Sequence, residues 1–247
     1  MNMHLTILTG ASRGLGAAMA EQLLKNGHRL LTLSRHTADL WVVQGSDLEQ
    51  WAVDLVDAAP VAADLETWLA RQAGGNPASV TLINNAAALS QPAPLHGTAS
   101  GDLTRAMRVG LEAPLLLSAA FLRATANWTV PRRLLFISSG LGRRAMAGSA
   151  SYCAVKAGMD HLARAIALEQ AGLPNPARVV SLAPGVIDTD MQVQLRAGDP
   201  ASFPDRQRFV ELQKTGQLTA PDEAARRVLA WLQRPDFGQQ PVADVRD

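Results

Sequence analysis

Short apolar segments rich in β-branched residues alternate along the chain with longer segments of helical periodicity. Apolar runs of this length are typical of buried strands. They predict strands near residues 5–9, 29–34, 50–54, 80–84, 133–138 and 177–183. Helical patterns lie between most of them, around residues 14–25, 60–73, 100–127 and 150–171. Strands that alternate with helices predict an α/β fold in which both faces of a parallel sheet are covered.

The 247 residues suit a single α/β domain, 1–247, which is long enough for a substantial core. No internal repeat, low-complexity tract or linker divides the sequence. The least regular stretch is 192–217, with Gly198, Pro200 and Pro204. We predict that this stretch is a mobile substrate lid with a short helix, and the alternative is an ordinary surface excursion.

Composition and charge exclude several classes of protein. Apolar residues make up 47% of the chain, too many for a disordered protein, and 23 basic residues balance 22 acidic ones, so no charge excess favours nucleic acid or an anionic membrane. The apolar stretches are too short to span a bilayer, and the first strand leaves no room for a signal peptide, so we expect a cytoplasmic protein. The single cysteine, Cys153, excludes an internal disulfide and a thiolate zinc site; we expect a small buried thiol and no metal.

A glycine-rich turn follows the first predicted strand. Gly10, Gly14 and Gly16 are spaced Gly-x-x-x-Gly-x-Gly, which differs from the common dinucleotide-binding pattern. A strand, a glycine-rich loop and a helix in this order direct backbone N–H groups at an anion. The turn alone is weak support, because ordinary turns and helix ends also use glycine.

Ser139, Tyr152 and Lys156 form a second candidate site. Tyr152 and Lys156 are four residues apart, so they share one helix face. An ammonium beside a phenol favours the phenolate, which predicts a lowered pKa for Tyr152 and proton exchange with a carbonyl or alcohol oxygen. Ser139 follows an apolar strand and can hydrogen-bond that same oxygen. The alternative is a chance Tyr-x-x-x-Lys pattern on a surface helix.

Taken together, these motifs resemble the short-chain dehydrogenase/reductase family in its single-domain form. The resemblance covers nearly the whole chain, and the motifs follow the order of the family. They are residues 9–16, residues 84–87 (Asn-Asn-Ala-Ala), the trio Ser139, Tyr152 and Lys156, and residues 184–189 (Pro-Gly-Val-Ile-Asp-Thr). The resemblance implies a Rossmann-like doubly wound parallel sheet, with Ser139, Tyr152 and Lys156 as catalytic residues.

The resemblance also implies a nicotinamide cofactor and the residues that bind it. These are Gly10, Ser12, Arg13, Gly14, Leu15, Gly16, Arg35, Asp54, Leu55, Asn85, Ala86, Tyr152, Lys156, Pro184, Gly185, Ile187 and Thr189.

The second predicted strand ends in Arg35, and no carboxylate follows until Asp39. An acidic residue at this strand end suits the ribose hydroxyl of NAD, whereas guanidinium groups suit the 2′-phosphate of NADP. Arg13 and Arg35 therefore favour NADP(H), unless both face solvent. Asp54 matches the family residue that contacts the adenine amino group; the alternative is a cap at the strand end, and both roles are compatible.

The sequence departs from the family at Gly110. The family usually has an asparagine here, in a kinked helical turn whose main-chain carbonyl holds a water of a proton relay. Pro114, four residues later, has no N–H for the Gly110 carbonyl and its ring displaces that carbonyl. We therefore predict a kinked helix and a retained active site; the alternative is a weakened or lost one.

The C-terminal quarter is similar to sepiapterin reductases and bacterial benzil-reductase-like proteins. Residues 211–218, 221–225 and 242–247 carry this similarity. Asp244 matches the carboxylate that anchors the pterin ring in sepiapterin reductases, and the alternative is a solvated terminal Asp.

The resulting hypothesis is an NADPH-dependent reductase of a ketone, an α-dicarbonyl or a pterin side-chain carbonyl, with Tyr152 as the acid. The alternatives are another short-chain alcohol dehydrogenase or acyl-carrier ketoreductase, and a non-catalytic NADP-binding sensor. The partner is a small-molecule carbonyl substrate. The resemblance implies a homo-oligomer, dimer or tetramer, paired through the helices near 100–127 and 150–171.

Overall fold

The central sheet is parallel throughout. The computed structural model describes residues 3–38, 47–75 and 77–247. The strands are β1 (His4–Thr9), β2 (Arg29–Ser34), β3 (Leu48–Ala52), β4 (Ser79–Asn84), β5 (Arg132–Ile137), β6 (Arg178–Ala183) and β7 (Val242–Asp244). Their order across the sheet is β3-β2-β1-β4-β5-β6-β7, and each neighbouring pair is parallel. The predicted Rossmann-like α/β fold is confirmed.

Helices cover both faces of this sheet. They are α1 (Gly14–Lys25), α2 (Ala58–Gln72), α3 (Ser100–Met107), α4 (Ala113–Ala124), α5 (Ala150–Gln170), α6 (Asp190–Arg196), α7 (Arg206–Lys214) and α8 (Pro221–Leu232). Side chains alternate across each strand, so β5 directs Leu134 and Phe136 to the core under α2, α4 and α5. Leu135 and Ile137 face the core under α1 and α8.

Most predicted elements agree with the structure within two residues, and one differs in kind. The helix predicted over 100–127 is divided by a π-helical turn, Arg108–Glu112, between α3 and α4. The predicted irregularity therefore exists as a local change of helix type that contains Gly110, four residues before Pro114, which lacks an N–H donor. Whether the Gly110 carbonyl is unpaired stays a prediction.

Three further points compare the structure with the predictions from the sequence. The third strand ends at Ala52, so Asp54 lies beyond it. The short β7 and the helix α8 were not among the predicted elements. Asp39, the first carboxylate after the second strand, lies outside the described residues.

The stretch 192–217 contains two short helices. They are the end of α6 and all of α7, where one helix was predicted. Phe203 between them is completely buried, and its ring stacks on Phe209 with 5.7 Å between centroids. The segment therefore packs around its own apolar residues. Its mobility stays a prediction.

Candidate active site

A cavity of about 700 Å³ opens at the carboxyl ends of the strands. The strand order reverses between β1 and β4, and ligands of open α/β sheets bind at such a crevice. Every site residue predicted from the sequence lines this one cavity, Asp244 included.

The glycine loop is shaped by close backbone approaches. Gly10 and Gly14 have φ angles of +71° and +56°, in the left-handed region that favours glycine. A Cβ on Gly16 would lie 1.9 Å from the carbonyl oxygen of Gly10, so no other residue fits there without movement of the loop. The Asn85 amide donates hydrogen bonds to the Thr9 and Gly10 carbonyls, each at 3.0 Å. This side chain therefore fixes the loop against β4.

The first turn of α1 offers free backbone donors to an anion. Its N-cap residue, Arg13, makes no side-chain capping bond, and the turn contains no acidic residue. The N–H groups of an uncapped helix start, together with the helix dipole, favour a phosphate. These residues fit a dinucleotide cofactor.

Ser139, Tyr152 and Lys156 meet at the opposite wall of the cavity. Ser139 follows β5, and its Oγ accepts a hydrogen bond from the Leu141 N–H at 3.2 Å. Lys156 is 2% exposed, and its Nζ donates to the Ile137 carbonyl at 2.7 Å. The same Nζ lies 5.5 Å from the centroid of the Tyr152 ring. A hydroxyl, a phenol and an ammonium thus belong to the lining of the same cavity.

Burial changes the titration of both groups on α5. It raises the pKa of Tyr152, and the Ser139 hydroxyl acts in the opposite direction. This is contrary to the lowered pKa that the sequence predicts, because burial of the phenol outweighs the hydrogen bond with Ser139. Burial also lowers the pKa of Lys156 to about 8, although the charge of Asp160 raises it.

Charged groups at the other end of the cavity are already paired. Arg13 contacts Asp190 at 2.6 Å, and both side chains are largely exposed. Asp54 accepts the Val56 N–H at 3.1 Å, which is the capping role considered from the sequence, and it pairs with Arg105 at 3.4 Å. Sequence reasoning missed Arg105, which lines the cavity from α3. Arg35 lines the same cavity and is exposed.

Asp244, the last residue of β7, faces the cavity, and its carboxylate is already bound. Arg246 donates to both of its oxygens, at 2.6 and 2.7 Å. These hydrogen bonds lower the pKa of Asp244 despite its partial burial. A ligand that donates N–H groups to Asp244 therefore has to displace Arg246 or share the carboxylate with it.

Sequence reasoning also missed most of the substrate wall. Apolar and polar side chains from four loops and helices complete the cavity: Leu89, Leu141, Arg144, Met146, Gln192, Leu195, Arg208 and Phe209. The irregular stretch from residue 192 was the one available signal. Cys153, expected as a buried thiol, is only partly buried.

Two further observations concern membrane-spanning helices and metal-binding clusters. Among the described ranges 3–38, 47–75 and 77–247, no helix is both long and apolar enough to cross a membrane. Within the same part of the chain, no cluster of three or more His, Cys, Asp or Glu side chains is arranged to hold a metal ion.

Comparison with known proteins identifies the family. The sequence model of the short chain dehydrogenases matches residues 4–200. A benzil reductase ((S)-benzoin forming) of Bacillus subtilis is 36% identical over 233 residues, covering 94% of each chain. Sepiapterin reductase of Rattus norvegicus is 30% identical over 257 residues, covering 98% of this chain and 95% of the relative.

Solved structures give the same result. A metagenomic short-chain oxidoreductase in complex with NADP is 27% identical, with a TM-score of 0.72 over 98% of this chain and 94% of the other. With the parallel sheet, the glycine loop and the Ser139-Tyr152-Lys156 wall on one cavity, these matches show that the chain belongs to the short-chain dehydrogenase/reductase family of oxidoreductases.

Proposed function

We propose that this chain is an NADPH-dependent carbonyl reductase that acts on a ketone, an α-dicarbonyl or a pterin side-chain carbonyl. The observation that carries the proposal is the convergence of Ser139, Tyr152 and Lys156 on the cavity that also contains the glycine loop. A proton donor and two polar groups at one end, with uncapped backbone N–H groups at the other, suit a carbonyl substrate beside a phosphate-bearing cofactor.

The proposed chemistry assigns a separate task to each group. A bound nicotinamide cofactor supplies the hydride. Tyr152 Oη donates its proton to the carbonyl oxygen, where negative charge develops, and Ser139 Oγ donates a hydrogen bond to the same oxygen. The raised pKa of Tyr152 keeps the phenol protonated at neutral pH, which is the form that a general acid needs. The Lys156 ammonium stabilises the phenolate left after proton transfer and would hold the ribose hydroxyls.

The preference for NADP(H) rests on Arg13 and Arg35. Both line the cavity, and Arg35 directly follows β2, where a carboxylate would mark NAD. The metagenomic relative that binds NADP supports this choice. Because Arg13 is paired with Asp190, we propose that it exchanges this partner for the 2′-phosphate when the cofactor binds.

The wall of the substrate end favours a hydrophobic carbonyl compound. Its apolar side chains include Leu89, Leu141, Met146, Leu195 and Phe209. Benzil, the diketone in the name of the Bacillus relative, has two phenyl rings that such a wall can accommodate. A pterin is the second candidate, because Asp244 faces the same cavity.

A substrate screen tests the proposal. NADPH oxidation is measured with benzil, other diketones, sepiapterin and acetoacetyl thioesters, using the natural protein and the Tyr152→Phe variant. Reduction of a diketone or of sepiapterin that is lost in Tyr152→Phe supports the proposal. A preference for acetoacetyl thioesters supports an acyl-carrier ketoreductase instead. Tight NADPH binding with no carbonyl reduced supports the non-catalytic sensor.

Cellular location and oligomeric state are the subject of a separate proposal. We propose a cytoplasmic homo-oligomer, a dimer or tetramer, that pairs through α4 and α5. Leu115 on α4 and Leu168 on α5 are 47% and 79% exposed, as apolar residues of an interface would be in a single chain. Sedimentation of the protein with Leu115→Glu and Leu168→Glu tests the pairing.

A further inference from the structure

A buried carboxylate lies directly behind the proposed catalytic wall. Asp160 is one helical turn after Lys156 on α5 and is 1% exposed. Its Oδ1 accepts hydrogen bonds from Ser138 Oγ at 2.6 Å and from Ser181 Oγ at 2.7 Å. Ser138 immediately precedes Ser139, and Ser181 belongs to β6. The carboxylate therefore joins α5, the end of β5 and β6 at one point.

The second oxygen of this carboxylate is enclosed. Asp160 Oδ2 is buried and has no hydrogen-bond partner among the described residues. Gly142, in the turn after Ser139, approaches it so closely that a Cβ there would lie 2.7 Å from Oδ2. Enclosing a charged oxygen without a donor is unfavourable unless another charge compensates it.

The candidate for that compensation is the Lys156 ammonium, because Lys156 precedes Asp160 by four residues on α5 and residues with this spacing are neighbours on a helix surface. It is buried and is surrounded by Tyr152, Met159 and Asp160 from α5 and by the Ile137 carbonyl from β5. Ser138 and Ser181, which approach from β5 and β6, are uncharged. Among the acidic groups in the described part of the chain, Asp160 is the one whose charge raises the pKa of Lys156.

We propose that Asp160 is a positioning residue of this site: its carboxylate holds the Ser138–Ser139 segment in place and supplies the buried negative charge that keeps the Lys156 ammonium protonated. The proposal rests on the proposed roles of Ser139 and Lys156. Without Asp160, the ammonium loses the opposite charge that offsets its burial. The phenolate of Tyr152 would then form beside a neutral amine in a larger fraction of molecules.

The chain is well suited to a direct test, because its sequence contains three lysines, few enough to observe one by one: Lys25, Lys156 and Lys214. In protein labelled with ¹³C at the lysine ε-carbon, each lysine gives its own resonance, which is followed from pH 5 to pH 11. Lys25 and Lys214 are exposed members of surface ion pairs and serve as internal references. Asp160→Asn removes the charge and keeps an oxygen for the two serines. Ser181→Ala removes one hydrogen bond and keeps the charge.

We expect Asp160→Asn to lower the titration midpoint of Lys156 by about one pH unit, since a nearby opposite charge shifts a pKa by an amount of that order. Ser181→Ala should change the midpoint far less, although it also removes a buried hydrogen bond. Asp160→Ser is a second uncharged variant and should show the same lowered midpoint if Asp160→Asn does not fold. An unchanged Lys156 midpoint in either uncharged variant overturns the proposal.

The pH profile of catalysis separates this proposal from the proposed function. With the best carbonyl substrate, Asp160→Asn should move the alkaline limb of kcat/KM down by about the same one pH unit, because Lys156 loses its proton earlier. An unmoved profile in a variant that still reduces carbonyls contradicts the role of Asp160 alone. If the natural protein reduces no carbonyl, the proposed function fails, and the lysine titration still decides whether Asp160 controls the Lys156 charge.

Discussion

The side chain of Val155 occupies the space that a side chain at Gly110 would need. A Cβ on Gly110 would lie 2.6 Å from Val155 Cγ1. One turn further along α5, a Cβ on Gly158 would lie 2.9 Å from Leu111 Cδ2. The π-helical turn and α5 thus interlock through two reciprocal glycine contacts. The asparagine usual in the family cannot occupy position 110 here unless the Val155 side chain or the helix that carries it moves.

This contact predicts that Gly110 and Val155 are strongly coupled. Gly110→Ala should destabilise the protein by roughly 1–3 kcal/mol through overpacking, although alanine is the better helix former. Val155→Ala opens the space, so the double variant should be more stable than the sum of the two single effects. Urea unfolding of the four proteins in this cycle measures the coupling. Additive effects would show that α5 yields easily at this point.

Tyr152→Phe should lower turnover by about 10²-fold or more and leave NADPH affinity nearly unchanged, because the ring stays and the proton donor is lost. Lys156→Met should lower both turnover and cofactor affinity, since we propose that the ammonium stabilises the Tyr152 phenolate and holds the ribose hydroxyls. Single-turnover kinetics and calorimetry measure the two quantities separately. Near-normal turnover in Tyr152→Phe would exclude Tyr152 as the acid.

Arg35→Ala should weaken NADPH binding and leave NADH binding nearly unchanged, because only NADPH carries the 2′-phosphate. Loss of one charge-assisted contact corresponds to roughly 1.5–3 kcal/mol, or tenfold and more in affinity. Arg71→Ala, on α2 and away from the cavity, is the matched control for loss of one positive charge. Calorimetry with both cofactors measures the effect, and equal or tighter binding of NADH to the natural protein would contradict the cofactor assignment.

Stability should fall in mild acid because of His28. Its Nδ1 contacts Thr6 Oγ1 at 2.9 Å, its ring stacks on His4, and burial followed by the His4 charge lowers its pKa from 6.5 to about 4. The unfolded chain therefore binds more protons between these two pH values. The contribution of neutral His28 to the free energy of unfolding is complete above pH 6.5 and decreases as the pH falls toward 4.

The loss should amount to about 1–2 kcal/mol, less than the whole pKa shift implies, because the His28 ring is partly exposed to solvent. Urea unfolding at pH 7 and pH 4.5 measures it. His28→Gln should remove much of the difference between the two pH values, whereas His96→Gln, at an exposed site, should not. An equal pH dependence in both variants would assign the acid sensitivity to other groups.

Features of the site that depend on residues close together in the sequence were predictable, and features that depend on residues far apart in the sequence were not. The residues of the glycine loop lie close together in the sequence, and so do Tyr152 and Lys156. Local spacing was therefore enough to predict that they line the cavity. Arg13 and Asp190 are 177 residues apart, and nothing local indicates their contact. The raised pKa of Tyr152 likewise depends on burial by several elements.

The Gly110 region has one feature that local sequence predicted and one that depends on the fold. Pro114 predicted an irregular turn by its chemistry alone, because a proline cannot donate the backbone hydrogen bond of a regular helix. The packing of Val155 against Gly110 depends on how α5 crosses the turn, which spacing does not determine. The lack of space for a side chain at position 110 is therefore visible only in the three-dimensional arrangement.

The pairing of Asp244 with Arg246 leads to opposite predictions for two classes of substrate. A pterin donates N–H groups from its amino-pyrimidine ring, and a carboxylate accepts them; benzil has no such donor. Asp244→Ala should therefore raise the KM for sepiapterin by roughly tenfold or more if the contact is desolvated, and barely change the KM for benzil. Steady-state kinetics with both substrates measures this split.

Arg246→Ala provides the decisive comparison, because it leaves Asp244 in place and removes both guanidinium hydrogen bonds to its carboxylate, while the backbone N–H of residue 246 remains a donor to Oδ1. If a pterin binds Asp244, this variant should lower the KM for sepiapterin, since no guanidinium then has to be displaced, and should leave benzil reduction unchanged. If Asp244 serves only to fix the C-terminal residues, Asp244→Ala and Arg246→Ala should disturb both substrates alike. Equal effects on sepiapterin and benzil in both variants would exclude the pterin and leave the hydrophobic diketone as the substrate class.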